Sequence, residues 1–227
     1  IEASQRRLTH YDYWDDTLHP SILVDTKADF LTYGMAERAM VALAKGMQEG
    51  KKTEELQQIP QIAYLSNDVN APVDIELASH QACLASKKVQ AQNFKIFEEE
   101  SNRYQSDNRL GQVVGNQKVI INPPYPIIST PELDALYSLP YTRQPHPRYK
   151  GKTIPAYDMI KFSVTMHRGC FGGCSFCTIS AHQGKFIASR SEASILKEVE
   201  LIAQDAQFKG YISDLGGPSA NMYQLRG

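Results

Sequence analysis

Prolines are concentrated in one stretch of this 227-residue chain, and they constrain its fold more than any other feature. Because proline fixes φ and lacks a backbone N–H, such density excludes long helices and central strands. We therefore predict a proline-rich linker at 123–160, wrapped on a surface, which separates an α/β region at 1–122 from a second region at 161–227. Five tyrosines would anchor the linker or, alternatively, line a substrate groove. The residues concerned are Pro123, Pro124, Pro126, Pro131, Pro140, Pro145, Pro147 and Pro155, with Tyr125, Tyr137, Tyr141, Tyr149 and Tyr157.

The region before the linker alternates extended and helical patterns, which is typical of a parallel sheet with covering helices. Residues 74–105 are charged with weak helical periodicity, which favours a solvated helix with one packed face. The turn from Gly34 to Arg38 resembles the last part of a flavodoxin-like, cobalamin-binding-type domain, but no histidine motif for cobalt accompanies it. We predict strands at 30–34, 62–65 and 118–121, and a helix at 36–48 whose apolar face is Ala39, Met40, Leu43, Ala44 and Met47.

The region after the linker predicts a strand, a loop, a helix and a second strand. Lys161 to Met166 alternates as a strand does, and the loop follows its carboxyl end, where parallel sheets bind ligands. A capped helix begins near Ser189 and Ser191. The next strand runs from Gly210 to Leu215 and ends at Gly216-Gly217. The apolar face of the helix is predicted as Ile195, Leu196, Val199, Ile202 and Ala203.

The loop after the first of these strands contains Cys170, Cys174 and Cys177 at C-x3-C-x2-C spacing. Three thiolates from one short loop can bind three irons of a four-iron cluster, which leaves the fourth iron open to a small molecule. The loop must curl tightly for the thiolates to converge, and glycine tolerates the positive φ that this needs. Gly169, Gly172 and Gly173 lie where such a curl is expected.

Other interpretations of these thiols remain open. A zinc site normally needs four ligands, and the nearest further candidates are His167 and His182. An electron-transfer cluster would also need a fourth protein ligand. Cys83 lies far from the loop in sequence, and as a small buried hydrophobe it needs no metal-binding role.

The spacing C-x3-C-x-aromatic-C, with Phe176 as the aromatic residue, resembles the signature of radical SAM enzymes. The run from Met166 to Ser191, together with residues 1–14 and 213–223, is similar to the YgiQ-like family of uncharacterised radical SAM proteins. This resemblance implies a [4Fe-4S] cluster on the three cysteines, S-adenosyl-L-methionine as cofactor and a 5′-deoxyadenosyl radical. It also implies a partial (β/α)6 barrel, of which this chain would hold the first βα units after the C-terminal part of a flavodoxin-like domain. An electron donor such as flavodoxin or ferredoxin is implied, and the substrate stays unknown.

The resemblance also suggests cofactor contacts. Phe176 matches the position whose backbone meets the adenine, and Gly216 and Gly217 match the glycine pair whose carbonyls accept from the methionine ammonium. Pro218 stands where the family usually has the acidic residue of the third contact, and a simple tight turn is the alternative interpretation of the glycine pair. Arg190, just before a helix start, is a candidate for a carboxylate or ribose contact, whereas Lys185 fits a solvated loop charge. The sequence assigns no catalytic residue and no role to the other histidines.

The bulk composition is that of an ordinary globular protein, with 42% hydrophobic residues and a formal net charge of −1. Without a dense basic block, a nucleic-acid partner is not indicated. There is no apolar run long enough for a bilayer and no charged-then-apolar leader, so we expect no membrane insertion or secretion. Clustered cysteines favour a reducing, cytoplasmic setting. Because the chain opens on Ile1 and stops just after a strand, we interpret it as a piece of a longer protein.

Overall fold

A computed structural model of the chain describes residues 1–218 and 220–227. The chain divides into two compact units. The first comprises residues 1–126 with 181–183, and the second comprises residues 127–180 with 184–227.

The first unit contains a five-stranded sheet, a separate hairpin and six helices within the described residues. The elements follow one another as α1 (Glu2–Gln5), β1 (His10–Asp12), β2 (Thr17–His19), α2 (Ile22–Thr26), β3 (Leu31–Thr32), α3 (Glu37–Gln48), α4 (Thr53–Leu56), β4 (Ile62–Ser66), β5 (Ile75–Leu77), α5 (His80–Ala85), α6 (Lys87–Ser101), β6 (Leu110–Val114) and β7 (Gln117–Ile121).

The five-stranded sheet has the order β3-β4-β7-β6-β5, and its mixed direction corrects the parallel sheet expected from the sequence. The β3–β4, β4–β7 and β7–β6 pairs are antiparallel, and only β6–β5 is parallel. The cause is local: Gly115 and Asn116 alone connect β6 to β7, and a two-residue turn can only join antiparallel neighbours. A flavodoxin-like sheet, which is parallel throughout, is therefore not what this unit forms.

Both faces of this sheet are buried. Ile62 and Ile120 lie in a cluster with residues of α3 and α4, while the adjacent Ala63 and Ile121 lie in a cluster with residues of α2 and α6 on the other side. Because successive strand residues point to opposite faces, these consecutive apolar pairs are what a sheet covered on both sides requires.

Helix α3 confirms the helix predicted at 36–48, but its buried face is narrower than predicted. Ala39 and Leu43 are buried with Gly46, whereas Met40 and Met47 are 56% and 57% exposed. The single helix expected at 74–105 is wrong: this stretch forms β5, α5 and α6. Strand β6, which the sequence analysis did not predict, follows it.

The β1–β2 hairpin is paired in the register His10↔His19 and stands apart from the main sheet. Its tip carries Tyr13 and Trp14, which are 79% and 90% exposed. Their rings make an edge contact with 6.0 Å between centroids.

The second unit contains helices and short strands. They are α7 (Thr130–Tyr137), a 3-10 turn (Pro147–Tyr149), α8 (Pro155–Ile160), β8 (Ser163–Thr165), β9 (His167–Arg168), α9 (Ile179–Gln183), whose last three residues group with the first unit, β10 (Ala188–Ser189), α10 (Glu192–Ala203) and β11 (Asp214–Gly216).

A β-α-β unit forms the centre of this second unit. Strands β8 and β11 are parallel neighbours, and α10 lies between them in sequence. Val164 and Met166 pack against Ile195 and Ile202 of α10. Helix α10 begins as predicted, because the Ser191 hydroxyl accepts from the backbone N–H of Ser194. Leu196, which was predicted on the apolar face, is 52% exposed.

The proline-rich stretch forms two short helices and no strand. Helix α7 has a proline in its first turn, and α8 starts at Pro155, positions where the missing N–H costs nothing. Within the described part of the chain, no helix is both long enough and apolar enough to cross a membrane.

Candidate iron-sulfur loop

The cysteine loop, residues 169–187, is closed at its base by a two-stranded ladder. Strand β9 pairs with β10 in antiparallel fashion, with His167 opposite Ser189 and Arg168 opposite Ala188. One step inside the ladder, the N–H of Cys170 donates to the Gly184 carbonyl at 3.0 Å. Backbone hydrogen bonds therefore hold the two ends of the loop together.

The three cysteines of the loop differ in exposure. Cys170 is buried, Cys174 is exposed and Cys177 is half-buried. A backbone hydrogen bond of 3.0 Å from Cys177 to Cys174 forms the turn between the last two. The sulfurs of Cys170 and Cys174 lie 3.4 and 3.8 Å from the point where a Cβ at Gly172 would be, so both face the space beside that glycine.

As donors, three cysteine thiols in one glycine-containing loop suit an iron–sulfur cluster. In the described residues, no group of three His, Cys, Asp or Glu side chains is placed around a single ion. The fit therefore rests on the donor set and on the space beside Gly172.

Gly169 is required where it lies. Its φ is 92°, and a Cβ on it would lie 2.2 Å from the carbonyl oxygen of Phe186 across the base of the loop. Any side chain here would push the two ends of the loop apart.

His167 packs inside the unit and is only 1% exposed. Its Nε2 accepts from the Met222 N–H at 2.9 Å, so that nitrogen is not available to a metal. Burial lowers the pKa of His167, and backbone hydrogen bonds to Ala220 and Arg168 oppose the shift. Burial also lowers the pKa of His182. Both imidazoles are thus favoured in the neutral form.

The glycine pair lies beside the loop because β11 runs parallel to β8. The Gly216 carbonyl accepts from the Met166 N–H at 2.7 Å, so one of its lone pairs is engaged. Gly217 packs against the His167 ring: a Cβ there would lie 1.9 Å from Nε2. A Cβ at Gly216 would meet only the Asp214 carboxylate, at 3.5 Å.

Arg190 is 2% exposed, and its side chain contacts residues of β8, α10 and α7. Nη1 donates to the Thr165 carbonyl at 2.8 Å and to the Glu198 carboxylate. Nε and Nη2 donate to Ser194, to its hydroxyl at 3.1 and 2.9 Å and to its carbonyl at 2.8 Å. Its guanidinium carbon lies 4.1 Å from the Tyr137 ring centroid.

All five N–H groups of Arg190 thus have protein acceptors. These bonds give the residue a structural role, and the ligand contact expected from the sequence would have to displace one of them. Phe176 differs from Arg190 in its exposure, because the Phe176 side chain is 88% exposed.

The sequence analysis did not identify the partners of Arg190. Glu198 binds Arg190 and also Arg143, while Tyr137 belongs to the proline-rich stretch. The spacing of Ser194 and Glu198 at i and i+4 of α10 was the available signal, since these two positions share one side of the helix that begins just after Arg190.

The comparisons with known proteins agree with one another. A family model described as "Radical SAM N-terminal" matches residues 1–163, which end before the cysteine loop. UPF0313 proteins of Bacteroides thetaiotaomicron and Porphyromonas gingivalis are 59% and 57% identical and match the whole chain. A UPF0313 protein of Methanocella arvoryzae is 44% identical over 99% of the chain. The chain spans 39%, 36% and 37% of these three relatives. No solved structure matches it.

Proposed function

We propose, on the premise that this chain belongs to the radical SAM N-terminal family, that its cysteine loop holds a [4Fe-4S] cluster in a radical SAM enzyme. The observation that carries the proposal is the loop itself, in which three cysteines follow the end of a parallel strand and a backbone ladder closes the base. Ligand-binding loops occupy this end of parallel strands in α/β proteins.

Cys170, Cys174 and Cys177 are the proposed iron ligands. When bound, the cluster and S-adenosyl-L-methionine supply reductive cleavage of a sulfur–carbon bond and a 5′-deoxyadenosyl radical that removes hydrogen from the substrate. The buried Cys170 fixes one ligand at the base of the loop, and the exposed Cys174 leaves the outer side accessible.

Other residues of the unit are proposed to position this site. The imidazole ring of His167 fills the space between the turn at Gly216 and Gly217 and the base of the loop, and so sets the distance between them. Arg190 binds the Thr165 carbonyl and thereby ties the end of β8 to α10. Phe176, Arg190, Gly216 and Gly217 remain the proposed cofactor contacts; Phe176 is the most exposed of them, Gly217 is half-buried, and Gly216 and Arg190 are buried.

We further propose that β8, α10 and β11 are the first βα units of a partial (β/α)6 barrel in the full-length protein. The electron donor would be a flavodoxin or ferredoxin, in a reducing cytoplasm that keeps the thiols reduced. The substrate class is not specified by the cysteine site.

The test is anaerobic reconstitution of the full-length protein. We expect about four irons and about four sulfides per chain, a paramagnetic resonance spectrum that changes when S-adenosylmethionine is added to the reduced protein, and slow formation of 5′-deoxyadenosine. Alanine at Cys170, Cys174 or Cys177 should abolish the cluster, while Cys83→Ala, a change at a buried cysteine of the first unit, should leave it intact.

Two outcomes would contradict the proposal. A cluster whose spectrum ignores S-adenosylmethionine, with no 5′-deoxyadenosine under several reductants, would indicate electron transfer. Stoichiometric zinc without sulfide would indicate an interaction module stabilised by zinc.

A further inference from the structure

A basic loop in the second unit lies outside the cysteine site. Residues 135–157 contain no Asp or Glu, yet they hold Arg143, Arg148, Lys150 and Lys152. The net charge of −1 for the whole chain conceals this local excess. Such a run is usually a solvated face, so its surroundings decide whether it has a partner.

Three of these cations have no counter-charge in the described residues. Glu198 binds Arg143, which is half-buried. Arg148, Lys150 and Lys152 are exposed, and no described carboxylate pairs with them. Three like charges within five residues repel one another, and an anionic partner would relieve that repulsion.

Aromatic rings lie among these cations. The Tyr149 ring centroid is 4.9 Å from the guanidinium carbon of Arg148, and the tyrosine is 37% exposed. Tyr141, eight positions earlier, is 64% exposed. Exposed rings beside cations are what bases of single-stranded nucleic acid use for stacking.

The loop also lines an open cleft of about 460 Å³. This volume falls within the usual range for small-ligand sites. The one acidic residue that lines this cleft is Asp158. Its carboxylate lies 3.4 Å from the Lys161 ammonium, so the charge of Asp158 is partly balanced. The lining includes His146, Tyr149, Lys150, Lys152 and Tyr157.

The backbone between the two lysines is open. A Cβ at Gly151 would meet nothing within 4 Å, so a phosphate could approach the main chain between Lys150 and Lys152. A lone lysine on a helix offers no comparable combination of charge, ring and accessible backbone.

We infer that this loop binds single-stranded nucleic acid, with phosphates on Arg148, Lys150 and Lys152 and a base stacked on Tyr149. Duplexes keep their base faces covered, and acidic peptides would use the cations without needing the ring. The inference does not depend on the cysteine site, because none of these residues lies in residues 169–187.

The test is fluorescence anisotropy of the 227-residue chain with a labelled single-stranded RNA of roughly 12 nucleotides, a length within the usual site sizes. With three phosphate contacts, affinity should fall about 20-fold between about 50 and about 200 mM salt. The triple variant Arg148→Gln, Lys150→Gln, Lys152→Gln should bind about tenfold more weakly at low salt and lose most of this salt dependence. Tyr149→Ala should lose at least about fivefold while keeping the salt dependence.

The matched control is Lys87→Gln, Lys88→Gln, Lys95→Gln on α6, which removes the same charge from another exposed surface. It should bind RNA like the unchanged chain, and so should Cys170→Ala, whose defect belongs to the cysteine site. An equal loss in the control triple overturns the inference. So does full binding by Tyr149→Ala together with equal competition by polyglutamate, which would indicate a site for acidic peptides.

Discussion

Gly216 and Gly217 are adjacent residues with different surroundings. Only Gly217 has no room for a Cβ, because the buried His167 ring fills that space. Neither has the positive φ that would itself demand glycine. Packing against the base of the cysteine loop therefore explains the glycine at position 217. This explanation holds whether or not the Gly217 carbonyl also binds a cofactor.

Gly217→Ala should destabilise the chain by about 1 to 3 kcal/mol, because the new methyl group overpacks against His167. The free energy of unfolding in urea measures this. Gly216→Ala is the control and should change it by less than about 0.5 kcal/mol. Because His167→Ala makes room, the Gly217→Ala penalty should shrink in the double variant by at least about 1 kcal/mol. Equal penalties in both backgrounds would show that His167 is not the obstacle.

At the scale of elements, α10 is tied to its neighbours by Glu198. Its two carboxylate oxygens bind Arg143 of the proline-rich stretch and Arg190 at the end of the loop ladder. Because Arg190 is almost fully buried, loss of this carboxylate would leave a buried cation without its counter-charge.

Glu198→Gln should therefore lower the free energy of unfolding by about 3 kcal/mol. Glu200→Gln, an exposed change on the same helix, is the control and should stay within about 0.5 kcal/mol. Urea unfolding followed by far-ultraviolet circular dichroism distinguishes the two. A Glu198→Gln variant as stable as the control would mean that Tyr137 and Ser194 alone stabilise Arg190.

Sequence periodicity predicted the helices α3 and α10 and the strands around them, because each pattern lies within one segment. It failed for strand direction in the first sheet, which depends on how β6 and β7 are connected. It also placed Met40 and Met47 in the core, whereas the buried residues of α3 are Ala39, Leu43 and Gly46.

The cysteine loop was predictable from spacing, whereas its supports were not. The contact between His167 and Gly217 joins positions fifty residues apart, and Tyr137 reaches Arg190 from the opposite side of the loop in sequence. Local patterns carry no information on which distant side chains meet. The cofactor contacts proposed at Phe176, Arg190, Gly216 and Gly217 stay predictions.

For the whole molecule, each compact unit has a hydrophobic core of its own, around the five-stranded sheet in the first and around β8 and α10 in the second. Neither core contains the single tryptophan of the chain, because Trp14 lies on the exposed tip of the β1–β2 hairpin.

The exposure of Trp14 on that hairpin can be tested by fluorescence. Tryptophan emission of the native chain should resemble that of indole in water and shift little on denaturation, although circular dichroism reports complete loss of structure. Trp14→Phe should leave the denaturation curve unchanged. Emission at short wavelength from the native chain would contradict this placement. The emission of Trp14 should therefore change little when the chain folds, but it should change when a ligand or another protein covers the hairpin.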